Sequence, residues 1–279
     1  MLVYLNGDYL PQSEARISVD DRGFLFSDGV YEVIRVYRGR PYLLPEHLCR
    51  LAAGVQALEI RFDRFDELRD AAQRLIQENG VDGDANIYIQ ITRGAAPRKH
   101  AFPPADTPPT VYIAVKPITP HPEAYYREGV DAITTPDTRW ARCDIKTVSL
   151  LPNVLANQKA HAAGAFEALF VRDGIVLEGS HSNLLAVVDG AVVTYPKCNY
   201  ILPGITRDRV LAIAAKLGIP VREGPIFADR LFDVDELFLS GTTTEVMPIA
   251  RVDGRPIGNG KPGPVTLRLQ EAYRAETGA

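Results

Sequence analysis

The segment from Asp144 to Ala160 reads Asp-Ile-Lys-Thr-Val-Ser-Leu-Leu-Pro-Asn-Val-Leu-Ala-Asn-Gln-Lys-Ala, and its chemistry centres on Lys146. A lysine among β-branched and apolar neighbours loses hydration, which disfavours the ammonium form and frees a neutral amine. Such an amine attacks aldehydes and forms Schiff bases. A lysine is also ordinarily a solvated surface residue, so the segment by itself leaves both readings open.

Four further places carry functional side chains. Leu202-Pro203-Gly204-Ile205-Thr206-Arg207 puts a glycine turn and a hydroxyl where a helix begins. The free N–H groups and positive dipole end there make an anion site, or else Thr206 or a neighbour merely caps the helix. Gly241-Thr242-Thr243-Thr244 is a hydroxyl-rich loop able to donate to phosphate, and equally an ordinary polar turn. Glu178 ends an apolar strand. Buried, it requires a cationic partner; exposed, it requires nothing. Arg50, on the inner half of a predicted helix, is a charge for an anion or a solvated arginine.

The elements that must position these groups follow from periodicity and turn residues. Asn6-Gly7 predicts a hairpin between two short strands. Ile17 to Val19 reads as an extended run. Tyr31 to Tyr37 mixes polar and apolar residues on both faces, the pattern of a strand covered on both sides. Helices are predicted over Glu46–Ile60 and Phe65–Glu78, and strands over Asn86–Thr92 and Thr110–Val115. After the proline-rich stretch Lys116–Pro122, strands are predicted over Glu167–Val171, Asn183–Val188 and Ala191–Tyr195, with helices over Thr206–Leu217 and Pro264–Thr277. This pattern predicts an α+β chain of two domains. A smaller N-terminal α/β domain spans residues 1–116, a linker 117–122, and a larger strand-rich domain 123–279.

Composition narrows the function classes. The 279 residues are 46% hydrophobic and 24% charged, ordinary for a globular protein, with a net charge of −4. No basic field for nucleic acid or anionic membrane results. There is no signal-peptide pattern and no apolar run long enough to span a bilayer. Cys49, Cys143 and Cys198 are odd in number and far apart, which argues against a disulfide framework or a zinc site and for the reducing cytoplasm.

Taken in order, the motifs resemble the fold-type IV pyridoxal-phosphate enzymes, and within them the D-amino-acid transaminases. The resemblance runs from Leu5 nearly to the C-terminus. It is carried by Lys146 with Leu150–Ala156, by Leu177-Glu178-Gly179-Ser180-His181-Ser182-Asn183, and by Leu202–Arg207. It implies pyridoxal 5'-phosphate as cofactor, held by Lys146 as a Schiff base, with Lys146 then shuttling the proton. It implies Glu178 on the pyridine nitrogen, and Arg50, the N–H groups of Ile205 and Thr206, and the Thr242 hydroxyl around the phosphate. Tyr31 and Pro97-Arg98-Lys99-His100 are similar to the carboxylate-binding Tyr, Arg and His of the D-amino-acid branch. In that branch Arg and His come from the neighbouring subunit, so the resemblance implies a homodimer with shared active sites. The implied reaction is a ping-pong transamination from an amino donor to a 2-oxo acid. His181 stands where those enzymes carry serine, beside ring or substrate, and Lys99 adds charge next to the carboxylate-binding set. The competing readings are a branched-chain L-amino-acid or (R)-amine aminotransferase, an aminodeoxychorismate lyase, and a catalytically idle relative; retention of both Lys146 and Glu178 argues against the last.

Overall fold

A computed structural model describes residues 1–278. The chain divides into two compact units: Met1–Thr119 with Ile145–Ser149, and Pro120–Asp144 with Leu150–Ala279.

The first unit is a six-stranded sheet with two long helices and one short one. Its elements are β1 (Leu2–Leu5), β2 (Asp8–Pro11), α1 (Arg22–Phe26), β3 (Gly29–Tyr37), β4 (Arg40–Pro41), α2 (Leu44–Ala57), α3 (Phe65–Glu78), β5 (Ala85–Thr92) and β6 (Thr110–Pro117). The strand order is β2-β1-β6-β5-β3-β4, antiparallel throughout. The hairpin forms as expected, with Asn6 and Gly7 both at positive φ. Leu48, Leu51 and Val55 of α2 and Leu68, Ala71, Ala72 and Leu75 of α3 pack on Val30, Ile34, Ile87, Ile89 and Ile113. Every residue of β3 is at least half-buried, which its two-faced pattern predicted. Ile17 and Val19 form no strand; their side chains are 55% and 74% exposed. The next residues turn instead: Asp21 accepts from the Gly23 N–H and caps the short helix α1, which periodicity does not reveal in five residues.

The second unit holds α4 (Glu123–Glu128), β7 (Val130–Pro136), α5 (Leu151–Ala162), β8 (Glu167–Arg172), β9 (Ile175–Gly179), β10 (Asn183–Val188), β11 (Ala191–Thr194), α6 (Ile205–Lys216), β12 (Val221–Glu223), β13 (Ile226–Phe227), β14 (Glu236–Gly241), β15 (Glu245–Val252), β16 (Arg255–Pro256) and α7 (Pro264–Thr277). Its strands run β12-β11-β10-β14-β15-β7-β8-β9-β13, and β10 also pairs with β9, closing six of them on themselves. Leu169, Val176, Leu184, Leu237, Leu239, Met247 and Ile249 belong to one buried cluster of this closed sheet. The closing pair is Glu178 with Asn183. The chain is thus α+β in two units.

Candidate active site

Lys146 lies in the first unit, in the segment Ile145–Ser149. That segment joins the edge of β3: the Tyr31 N–H donates to Lys146 O at 3.0 Å, the Val148 N–H donates to Gly29 O at 3.1 Å, and Val30 and Thr147 form an antiparallel bridge. The register puts Lys146 beside Tyr31 on one face and Ile145 in the core on the other. Lys146 Nζ stands 3.4 Å from the Tyr31 hydroxyl and 4.4 Å from the centre of its ring. Tyr31 stacks on Tyr88, centroids 5.9 Å apart. Burial and the Glu32 charge push the Tyr31 phenol up to about 12, so it stays neutral and its oxygen accepts from Lys146 Nζ.

Arg50 lies on α2 and grips Glu32 of β3, Nε to Oε1 at 2.7 Å and Nη2 to Oε2 at 2.8 Å. His47, one turn earlier, places Nδ1 2.7 Å from Glu32 Oε2. Burial works against a charged Glu32, but Arg50 and His47 outweigh it and hold the carboxyl down at about 2. Burial pushes His47 below its ordinary range despite Glu32, so the cluster contains one cation, one anion and a neutral imidazole. Sequence reading missed Glu32 and His47. The available signal was a lone acid inside an apolar strand, and a histidine three residues before Arg50 on one helix face.

In the second unit, Glu178 is buried and answers the question its strand-end position raised: it has partners. Asn183 Nδ2 donates to it at 2.9 Å, the Leu202 N–H at 3.0 Å, and Arg139 Nη1 also binds it. Burial pushes the Glu178 carboxyl up to about 7, against the downward pull of Arg139 and the Leu202 N–H. Burial likewise opposes the Arg139 charge, but Asp137 and Glu178 hold it firmly protonated. Nothing in the sequence flags Arg139, which sits 39 residues from Glu178 and is brought there by folding. The helix α6 opens with Gly204 at its N-cap and has no side-chain cap, so Thr206 is not the cap. Gly204 is needed for contact: a Cβ there would lie 1.8 Å from Asn183 Oδ1. Thr242 is half-buried, and the buried hydroxyl of neighbouring Thr244 has no hydrogen-bond partner among the described residues.

His181 is 43% exposed, its Nδ1 3.0 Å from Oε2 of Glu167. Glu167 is fully buried and accepts from the hydroxyls of Ser180 and Ser182 at 2.5 and 2.7 Å. Burial raises its carboxyl, but His181, Ser180 and Ser182 win and lower it. Arg98 and His100 are exposed and meet at Phe26, 5.0 and 5.5 Å from its ring centre, whereas Lys146 meets Tyr31. Among the described residues, no helix is long and apolar enough to cross a membrane.

The first unit thus presents a lysine amine beside a phenol, and the second a buried carboxyl tuned toward neutrality and a helix start without a side-chain cap. A family model described as amino-transferase class IV matches residues 29–252. The D-alanine aminotransferase of Bacillus licheniformis is 42% identical over 276 residues, covering 98% of this chain and 96% of that protein. That of Staphylococcus haemolyticus is 41% identical over 274 residues, covering 97% and 96%. Among solved structures, a branched-chain amino acid aminotransferase of Escherichia coli superposes with a TM-score of 0.91 at 30% identity, covering 98% of this chain and 93% of that one. A T.th. branched-chain amino acid aminotransferase with pyridoxamine 5'-phosphate has a TM-score of 0.89 at 35% identity, covering 99% and 94%. The chain belongs to the class IV aminotransferases, the fold-type IV group, and is an aminotransferase.

Proposed function

We propose that the enzyme transfers the amino group of D-amino acids to 2-oxo acids with pyridoxal 5'-phosphate as its cofactor. The observation that carries this reading is Lys146 Nζ held against the neutral phenol of Tyr31, in a chain so similar to enzymes of that activity. When bound, pyridoxal phosphate supplies an electron sink for the pair left behind when the amino donor loses its Cα proton.

The chain's residues take distinct tasks. Lys146 Nζ would hold the cofactor at its aldehyde group and would serve as the base that carries the proton lost from the donor's Cα. Tyr31 orients the lysine amine. Glu178, fixed by Arg139 and Asn183, holds a proton at the pyridine nitrogen. Arg50, the N–H groups of Ile205 and Thr206, and the Thr242 hydroxyl bind phosphate. The uncapped start of α6 and the unsatisfied Thr244 hydroxyl fit a phosphate in that place. Arg98 and His100, with Tyr31, hold the α-carboxylate, and His181 faces the substrate.

Arg98, His100, Phe24 and Phe102 are all exposed in the single chain, and α5 turns Leu151, Val154 and Leu155 outward. This supports a homodimer in which one protomer lends Arg98 and His100 to its partner's site. Three free cysteines support a cytoplasmic setting.

The purified protein should be yellow, bleach with borohydride, and lose its visible band on Lys146→Ala; a retained band removes Lys146 from the role. A second reading, branched-chain L-amino acids, draws on the likeness to branched-chain enzymes. Half-reactions with D-alanine, L-leucine and (R)-1-phenylethylamine separate them, and turnover of L-leucine equal to or faster than D-alanine overturns the D-specific assignment.

A further inference from the structure

Between β5 and β6 the chain runs from Arg93 to Pro109 without a named strand or helix, and this loop carries Arg98, Lys99 and His100. Ordered loops of this length are uncommon inside a compact unit and need anchors. The base of this one is tied to the segment before β3. The Arg22 N–H donates to Gly94 O at 2.9 Å, the Arg93 N–H to Asp28 O at 3.1 Å, and the Ala96 N–H to Asp20 O at 3.1 Å. Gly94 has a φ of +91°, and a Cβ there would lie 2.0 Å from Pro108 O, so glycine lets the two limbs of the loop close.

Above the base, two buried arginines reach along the loop. Arg22 Nη1 donates to Lys99 O at 2.6 Å and to Ala101 O at 3.4 Å. The Arg93 guanidinium lies 3.7 Å from the centre of the Phe102 ring. The backbone around His100 is therefore held on one side through carbonyls and on the other through an aromatic face. Both arginines converge on Asp28: Arg22 Nε at 2.8 Å, Arg93 Nε at 2.8 Å and Arg93 Nη2 at 3.0 Å. Burial opposes a charged Asp28, but Arg93 and Arg22 keep its carboxyl below the usual range. One anion thus holds together two cations that would otherwise repel in a poorly hydrated place.

We infer that Asp28, Arg22 and Arg93 form the positioning device of the carboxylate-binding loop, setting where Arg98 and His100 stand and so how tightly a substrate carboxylate is held. These residues act through the loop and do not touch substrate. The inference rests on the proposed role of Arg98 and His100, and the experiment separates the two.

Full-length holoenzyme is compared as wild type, Arg22→Gln, Phe102→Ala and Arg98→Ala. Acetate and D-alanine are titrated by the change in the cofactor spectrum, and the D-alanine half-reaction is followed by stopped flow. Arg22→Gln should raise the apparent Kd of both carboxylates about tenfold, with the limiting rate within about twofold and cofactor content unchanged, because small displacements of a binding group weaken it steeply. Phe102→Ala, at a side chain 57% exposed in the single chain, should raise it about threefold with the oligomeric state unchanged by gel filtration. If Arg98→Ala weakens carboxylate binding while Arg22→Gln and Phe102→Ala do not, the positioning inference is overturned and the role of Arg98 stands. If Arg98→Ala changes nothing, both fall. Should Arg22→Gln fail to fold, Phe102→Ala decides.

Discussion

Glu32 and Arg50 meet edge to edge, two N–H groups of the guanidinium on the two oxygens of a carboxylate with no solvent exposure. The geometry fixes the guanidinium plane as a point-charge lysine could not. His47 adds a third contact from the same helix. Removing one member of a buried pair leaves the other charge uncompensated. Glu32→Gln should lower stability by about 3 kcal/mol and weaken cofactor binding through a mobile Arg50. Denaturant midpoints and cofactor dissociation constants measure both; an unchanged pair of values would show that Arg50 needs no partner.

The pKa of Glu178 gives a pH signature in the cofactor-free protein. Its folded value, about 7, lies above its ordinary 4.5. Between those values the folded chain holds a proton that the unfolded chain has released, so this residue's contribution falls as pH rises through the window. The loss is about 3 kcal/mol in all, complete above pH 7 and absent below 4.5. Glu32 has the opposite sign and acts only at lower pH, its favourable contribution being lost as pH falls from 4.5 through about 2. Urea denaturation of wild type and Glu178→Gln at pH 4.5, 6 and 8 isolates the Glu178 component. A stability difference that stays flat across that range contradicts the assignment.

How much of this was legible beforehand depended on the range of the interaction. Helices α3 and α7 and strand β10 have the predicted bounds, because hydrophobic period and flanking turns are local. Lys146, Glu178 and the Gly204 turn were legible as motifs. Arg139 and Glu167 were not: their partners lie 39 and 13 to 15 residues away, and no spacing rule connects Arg139 to Glu178; Asp137, two residues from Arg139, gave no signal without it. The Ile17–Val19 run misled because β-branched residues favour strands only where a neighbour buries them, and here both face solvent.

The Tyr31 side chain meets Lys146 through its hydroxyl and ring, while its backbone N–H holds Lys146 O, so Tyr31→Phe removes the hydroxyl contact and leaves the backbone pairing. It should leave the cofactor bound and slow proton transfer about 10- to 100-fold. Single-turnover rates with donor deuterated at Cα report it; an unaltered rate with an unaltered isotope effect excludes the hydroxyl from that step.

Gly204→Ala would press a methyl group against Asn183 Oδ1, whose Nδ2 binds both Glu178 and Leu202 O. The start of α6 and the carboxyl should shift together. A loss of about 2 kcal/mol in stability is expected, with weaker phosphate binding. Retained affinity for inorganic phosphate in the variant would show that the two features are independent.

The lysine-bearing segment Ile145–Ser149 belongs to the first unit although 25 residues of the second, Pro120–Asp144, precede it in the chain. No single cut can therefore separate the units as intact pieces. A fragment ending at Thr119 lacks the segment Ile145–Ser149 that pairs with β3, and during synthesis Lys146 reaches its place only after the chain has left that sheet and returned. Gene fusions, split reporters and permuted versions of this enzyme have to keep both crossings, or they lose the lysine along with the fold.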